Sequence, residues 1–397
     1  FLNGHMVGRH RVYHEPFRFD VTRHIVTGRN VLAVRVTSGR AFDEPAAYWS
    51  VFPVPALLDD GVGRYVPDRS RSLANLGQGD SHVGDGYGIH RDVYLETTGP
   101  VRIDQVFARW KPDRGGTEVT IEADALTACQ AEFLFTVVPE NFVAAKETTS
   151  TRRLRFHLTP NRNAYTAFVP QKAPSRWFPE TPRLYRCRVQ AEGVDGKWKA
   201  AKDVLFGARE FRIVTRAEAT PNRPEGMFLL NGRVCQLRGT SIQGLNALWY
   251  WGEHERLHDV LLYLKAANFN AVRSCQHVCF PEVRELLDRF GIMSQQDQGC
   301  RKITTPAVLR QLIDAVKALN RETYNNPGVV LLSYGNECDF DVTPLIAASV
   351  SVDPDRVSIP ISGQRWGRQL KPIIGRETNL TLPEALWEHV VCSIHPY

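Results

Sequence analysis

From Arg256 onward the chain switches repeatedly between two periodicities, and this alternation limits its fold more than any other feature. In "RLHDVLLYLKAANF", Leu257, Val260, Leu261 and Leu264 recur at helical spacing, and the strand-like "NAVRS" follows at once. Helix "PEVRELLDRFG" then leads to strand "IMSQQD", and helix "PAVLRQLIDAVKALNRETY" to strand "GVVLLSYGNE". Strand "VSIPISG" follows Asp355 and Arg356, and helix "LPEALWEHV" leads to strand "VVCSIHPY". Alternation of this kind predicts parallel strands joined by crossover helices. Counted from "CQLRGTS" there are six such strands, against the eight of a closed (β/α)8 TIM barrel, so the expectation is a C-terminally truncated barrel.

In a parallel barrel the C-terminal strand ends form the open, reactive face. The six ends here, "RGTS", "RSCQH", "QQDQG", "GNEC", "SGQRW" and "IHPY", are all rich in hydrogen-bonding residues. That explains why "GVVLLSYGNECDF" runs an apolar strand straight into Asn336 and Glu337: the strand delivers a carboxylate to the site.

The first two hundred residues read differently. Short alternating runs such as "NVLAVRV", "VRIDQVFARW", "TEVTIEADAL" and "YTAFVP" are separated by turns, a pattern that predicts β-sandwich architecture. The Thr-Thr-Gly-Pro break in "RDVYLETTGPVRIDQVF" puts a boundary near residue 98, and the Pro and Gly cluster in "EATPNRPEGMFLLNGR" puts a second before a hairpin at Asn231-Gly232. Three units follow, 1–98, 99–216 and 217–397, which suits a chain of 397 residues with 43% apolar and 23% charged residues.

Several functions lose support at this point. The net charge of +6 is modest, with Lys and Arg scattered, and nothing in the pattern supports nucleic-acid binding. No run approaches the roughly 18 to 20 apolar residues of a membrane-spanning helix. The eight Cys include no CxxC pair, which leans toward reduced thiols, and compartment is left open. "FLNGHMVGRH" reads as mid-strand and turn, so the expectation is that the natural N-terminus lies upstream.

Together, "FLLNGRVCQLRGTS", "LKAANFNAVRS", "LLDRFGI" and "NNPGVVLLSYGNE", behind two sandwiches, resemble glycoside hydrolase family 2, the family of β-galactosidases, β-glucuronidases and β-mannosidases. "GYGIHRDVYLETTG" is similar to the end of that family's sugar-binding jelly roll, and "RWFPETPRLYRCRVQ" to its immunoglobulin-like domain. The resemblance implies a multidomain β plus α/β chain: a partial jelly roll, an immunoglobulin-like sandwich and a truncated barrel. It also implies a retaining glycosidase acting on terminal β-linked sugars, with Glu337 as general acid and base and Asn336 on the sugar's 2-hydroxyl. Protonating a poor leaving oxygen needs a carboxyl held protonated near neutral pH, and the retaining route needs a second carboxylate about 5 to 5.5 Å away. In the family that nucleophile ends strand seven; Glu384 and Glu388, on the helix before strand six, are not given the role, and the polypeptide as given is expected to be inactive or nearly so.

The resemblance further implies an active-site role for Arg273, at the end of strand two, and for His395 and Tyr397, at the end of strand six. Arg273 serves equally well as a structural ion-pair partner. Trp366, and Trp249, Tyr250 and Trp251 in "ALWYWGEH", either stack on sugar faces or simply pack. Cys275, His277, Cys279, Cys300 and Cys338 fall at or just past strand ends, but their spacing matches no zinc pattern, so no metal and no cofactor is expected. Departures from the family pattern fall in the substrate loops: Ser241 and Gln243 in "RGTSIQG", "SCQHVCFPE" after Arg273, and Asp297 in "MSQQDQG". They leave the sugar open and keep a second class in view, a carbohydrate-binding relative without turnover. The expected partner is a carbohydrate, with no nucleic acid and no membrane; a homo-oligomer is compatible with this reading.

Overall fold

The computed structural model describes residues 1–10, 16–35, 89, 92–143, 149–242, 244–274, 278–300, 306–335, 341–359 and 383–391. Seven antiparallel strands form a two-layer sandwich: β1 (Val101–Lys111), β2 (Gly116–Ala125), β3 (Cys129–Pro139), β4 (Ser150–Leu158), β5 (Asn161–Pro170), β6 (Tyr185–Gly193) and β7 (Lys199–Phe206). One sheet has the order β1-β2-β5 and the other β4-β3-β6-β7. Alternation sets the inner faces: Val119, Ile121, Ala123 and Ala125 of β2, and Tyr185, Cys187, Val189 and Ala191 of β6, are buried. Phe133, Phe135, Phe206 and Trp110 fill the space between the layers, each fully buried side chain of this size stabilising the fold by about 1.5–3 kcal/mol.

Three of the four strands read from the alternation are β1, β2 and β5. "NVLAVRV" is a correction. Over residues 30–35 the described pairing is an isolated bridge from Leu32 to Leu2, and Val31, Leu32 and Val34 are 54%, 57% and 56% exposed. With Ala33 N donating to Phe1 O at 2.9 Å and Asn3 N to Val31 O at 2.9 Å, this pairing is a short antiparallel contact with residues 1–3, which gives no described sheet face to bury those side chains.

A small antiparallel sheet follows, β8 (Phe211–Ile213), β9 (Phe228–Leu230) and β10 (Arg233–Val234), in the order β10-β9-β8. The β9–β10 turn is Asn231-Gly232, and both residues have positive φ, 51° and 78°, as an Asn-Gly hairpin requires.

The rest is a parallel sheet in strictly sequential order: β11 (Gly239–Ser241), β12 (Ala271–Ser274), β13 (Met293–Cys300), β14 (Val329–Gly335) and β15 (Val357–Ile359). Its helices are α1 (Leu245–Tyr250), α2 (His254–Ala266), α3 (Pro281–Phe290), α4 (Pro306–Thr323) and α5 (Thr343–Val352). Past β15, Val390 bridges Ser358 in parallel, so the sheet continues toward a further strand. The helix expected over "LPEALWEHV" is a single 3-10 segment, Glu384–His389, entered from Pro383, the tight form that short connectors take.

One face of the parallel sheet carries Ala271, Met293, Leu331, Val357 and Ile359, packed onto Trp177, Leu184, Phe211, Ile213 and Leu230. The small sheet and Trp177 thereby close the N-terminal foot of the parallel sheet. The other face, with Val272, Leu332 and Tyr334, meets the helices.

The sandwich is joined to this foot by specific bonds. Asn325 extends β1 like a strand residue, donating to Val106 O at 2.8 Å and accepting from Ala108 N at 2.8 Å. Trp177 Nε1 donates to Asp288 O at 3.0 Å. At the end of α3, Gly291 has φ 68°, and a β-carbon there would lie 2.2 Å from Pro179 O, so no other residue fits without moving that backbone.

Asp288 sits within this seam, its carboxylate accepting from Asn326 Nδ2 at 2.6 Å and Gly328 N at 2.7 Å. Burial outweighs those bonds and the nearby Arg284 and Arg209, and pushes its pKa up to about 7. The folded protein therefore keeps a proton that the unfolded chain gives up near its ordinary value of about 4. The stabilisation is complete below about pH 4 and is lost as pH rises toward about 7. Asp288→Asn is expected to flatten that decline in urea midpoints; an unchanged slope would show that another group sets it.

Candidate active site

Along the face that packs on Trp177, the strands change character toward their C-terminal ends. Ala271, Met293 and Leu331 are apolar, and the residues above them are Arg273, Gln295, Asp297 and Ser333. The parallel register sets Arg273 opposite Gln295 and Asp297 opposite Ser333. Arg273 Nε donates to Asp297 Oδ2 at 2.8 Å, and its Nη2 lies 2.6 Å from the same oxygen. Gln295 Nε2 donates to Asp297 Oδ1 at 2.7 Å. The Asp297 side chain is 1% exposed and that of Arg273 17%, so the carboxylate is the buried anchor and the guanidinium faces the strand ends.

Behind this pair, uncharged side chains fix the backbone. Ser274 Oγ donates to Gln295 O at 2.9 Å, Gln296 Oε1 accepts from Cys279 N at 2.7 Å, and Gln296 Nε2 donates to Ser294 Oγ at 2.9 Å. Asn246, fully buried on α1, donates to Val278 O at 2.8 Å and accepts from Phe280 N at 2.8 Å. These amides tie the segment after β11 to the segment after β12. All seven residues of β14 are buried, and Tyr334 OH pairs with Ser358 Oγ at 2.7 Å, pinning β14 to β15. A strand so enclosed has little freedom at its end.

Of the residues that sequence reasoning singled out, Arg273 is described and stands at this polar edge. Asn336 and Glu337 follow β14 directly in the sequence but lie outside the described residues, as do Trp366, His395, Tyr397, Gln243, Cys275, His277 and Cys338. The aromatic run ends helix α1, with Trp251 as its C-cap: Trp249 packs with the Leu257 and Leu261 cluster and stacks on His254 at 4.1 Å, whereas Tyr250 and Trp251 stay about half exposed at 49% and 44%. Packing therefore explains Trp249. Cys279 is buried, and burial pushes its thiol up to about 11. Among the described residues no group of three His, Cys, Asp or Glu could hold a metal ion.

Sequence reasoning missed Asp297 as the partner of Arg273, and Gln295 and Asn246 as clamps. The run "SQQDQ" inside a strand buried on both sides was the available signal, since polar residues persist there only when hydrogen-bonded.

The molecule is thus a multidomain β plus α/β protein, with an antiparallel sandwich seated beside a helix-bearing parallel sheet. Residues 101–209 match the family model described as glycosyl hydrolases family 2. It is 22% identical over 356 residues to a β-galactosidase of Leuconostoc mesenteroides, covering 86% of this chain and 30% of that protein. It is 21% identical over 366 residues to a β-galactosidase of Priestia megaterium, covering 85% and 31%. A structure of Bacteroides uniformis β-glucuronidase 2, covalently bound to cyclophellitol-6-carboxylate aziridine, shares the fold with a TM-score of 0.53 at 18% identity, over 67% of this chain and 35% of that one. The chain spans less than a third of the length of these two curated relatives.

Proposed function

We propose that the full-length protein is a retaining glycosidase that releases terminal β-linked sugars, with Glu337 as general acid and base and Asn336 on the 2-hydroxyl. The second carboxylate, the nucleophile, is not assigned to a residue of this chain. The observation that carries the reading is the parity of β14. From Leu331 on, alternate residues share the face that holds Arg273 and Asp297, and Glu337 has the parity of Leu331 and Ser333. In the sequence Glu337 lies two residues beyond Gly335, the last residue of the strand whose polar end adjoins Arg273 and Asp297.

The brace has a chemical consequence. An unpaired guanidinium beside an acid catalyst would hold it ionised, whereas Arg273 already neutralised by Asp297 leaves Glu337 free to keep its proton. Arg273 then orients carboxylates and sugar hydroxyls without abolishing the acid. His395, Tyr397 and Trp366 take substrate-contact roles in the same reading.

At the level of architecture, residues 217–397 are the first strands of a (β/α)8 barrel, because a sequential parallel order has no reversal of the kind that opens a doubly wound sheet. Residues 99–216 are an immunoglobulin-like sandwich of three plus four strands, and residues 1–98 part of a sugar-binding jelly roll. The names of the relatives, β-galactosidase and β-glucuronidase, make hexosides and hexuronides the substrates to try first. The test is hydrolysis of a panel of aryl β-glycosides by the full-length protein: release of one sugar class supports the reading, and binding of sugars without any turnover replaces it with a carbohydrate-binding role.

A further inference from the structure

At the foot of the parallel sheet, away from the polar edge, three arginines are buried together. Arg109 comes from β1, Arg209 from the segment after β7 and Arg356 from the residue before β15, and they are 5%, 5% and 1% exposed. Arg109 Nη2 donates to Asp353 Oδ2 at 2.7 Å and to Tyr324 O at 3.2 Å. Arg356 Nη2 lies 3.1 Å from the same Asp353 oxygen and donates to Thr323 O at 2.8 Å. Arg209 Nη2 reaches Val329 O at 3.5 Å, the limit of a hydrogen bond.

This leaves donors over. Arg109 Nε, Arg209 Nη1 and both Nε and Nη1 of Arg356 are buried and meet no acceptor among the described residues. Charge is also out of balance. Asp353 is fully buried, but Asp355, 3.6 Å from Arg109 Nη1, has a side chain 43% exposed to water. Asp288 has given both oxygens to Asn326 and Gly328 and holds its proton up to about pH 7. Burial, and then repulsion from Arg356 and Arg109, brings the Arg209 guanidinium down to about 9. Buried water would accept from the spare N–H groups but would not offset the excess positive charge.

We propose that this seam binds a small inorganic anion of halide size, held by the spare N–H groups of Arg209 and Arg356. The anion neutralises the excess and ties the segment after the sandwich, through Arg209, to the foot of the sheet at Arg356. The site is separate from the polar strand ends and does not depend on the glycosidase reading.

The probe is bromide. Crystals of the full-length protein grown in sodium bromide are expected to show a bromine anomalous peak within hydrogen-bonding range of Arg209 and Arg356. In solution, bromide is expected to raise the melting temperature saturably over sodium gluconate at equal ionic strength, by on the order of 2 °C at about ten times the half-saturating concentration. Arg209→Met is expected to lose that increment. Water alone at the site, or an equal response to the two salts, overturns the proposal, and both readouts on the unmodified protein stand even if the variant does not fold.

Discussion

Glu337→Ala and Glu337→Gln, made in the full-length protein, are expected to lower turnover of an unactivated aryl β-glycoside by at least about 10²-fold, the usual contribution of a positioned general acid and base. Both should leave substrate affinity nearly unchanged, because the lost interaction belongs to the transition state. The two variants fail for related reasons: alanine removes the proton carrier, and glutamine keeps the shape but cannot cycle a proton. Comparable losses for both, with the fold intact by circular dichroism, would identify the carboxyl group itself as the working part. A variant with wild-type turnover would remove Glu337 from the chemistry.

The second large effect is expected at Arg273. Its partner Asp297 is 1% exposed, and Arg273→Ala removes the charge paired with that buried carboxylate, whose Oδ1 still accepts from Gln295. Removing one member of a buried pair typically costs about 3–5 kcal/mol, far more than an exposed ion pair would. Denaturant midpoints should report this directly. The double variant Arg273→Met with Asp297→Leu removes both charges at once and is expected to recover much of the stability. Activity should not return with it, since the guanidinium is then still missing from the polar edge. Recovery of both together would mean that Arg273 serves only the fold.

The sandwich was legible because its strands obey the rule used to read them: β2 and β6 alternate, and one face is buried. The same rule misled at "NVLAVRV", where alternation is present and no described sheet covers it. Helices α1 and α5 were not anticipated. In α1 the aromatic run has no polar face to mark a helical period, and in α5 "TPLIAASVSV" is apolar on nearly every side, so periodicity had nothing to register.

The candidate site was legible to the same partial degree. A charged residue ending an apolar strand is conspicuous, and Glu337 was singled out that way, whereas Arg273 entered through the family resemblance. Asn246 and Gln296 were not found, because each acts on backbone groups 32 and 17 residues away in the chain, and no local pattern records such a bond. The seam arginines lie further still from sequence reasoning: Arg109 meets Asp353 across 244 residues, and only the docking of the sandwich on the sheet brings them together.

The central claim, that Glu337 supplies the proton to the leaving oxygen, is tested most directly by varying how much that oxygen needs one. With Glu337→Ala in the full-length protein, a dinitrophenyl β-glycoside, whose leaving group departs unassisted, should be cleaved to the glycosyl intermediate within about tenfold of wild type, while an alkyl β-glycoside loses at least about 10²-fold. Added azide should then restore turnover and yield the β-glycosyl azide, since an anionic nucleophile needs no general base. Equal loss on both leaving groups, with no response to azide, would contradict the assignment of Glu337 as acid and base.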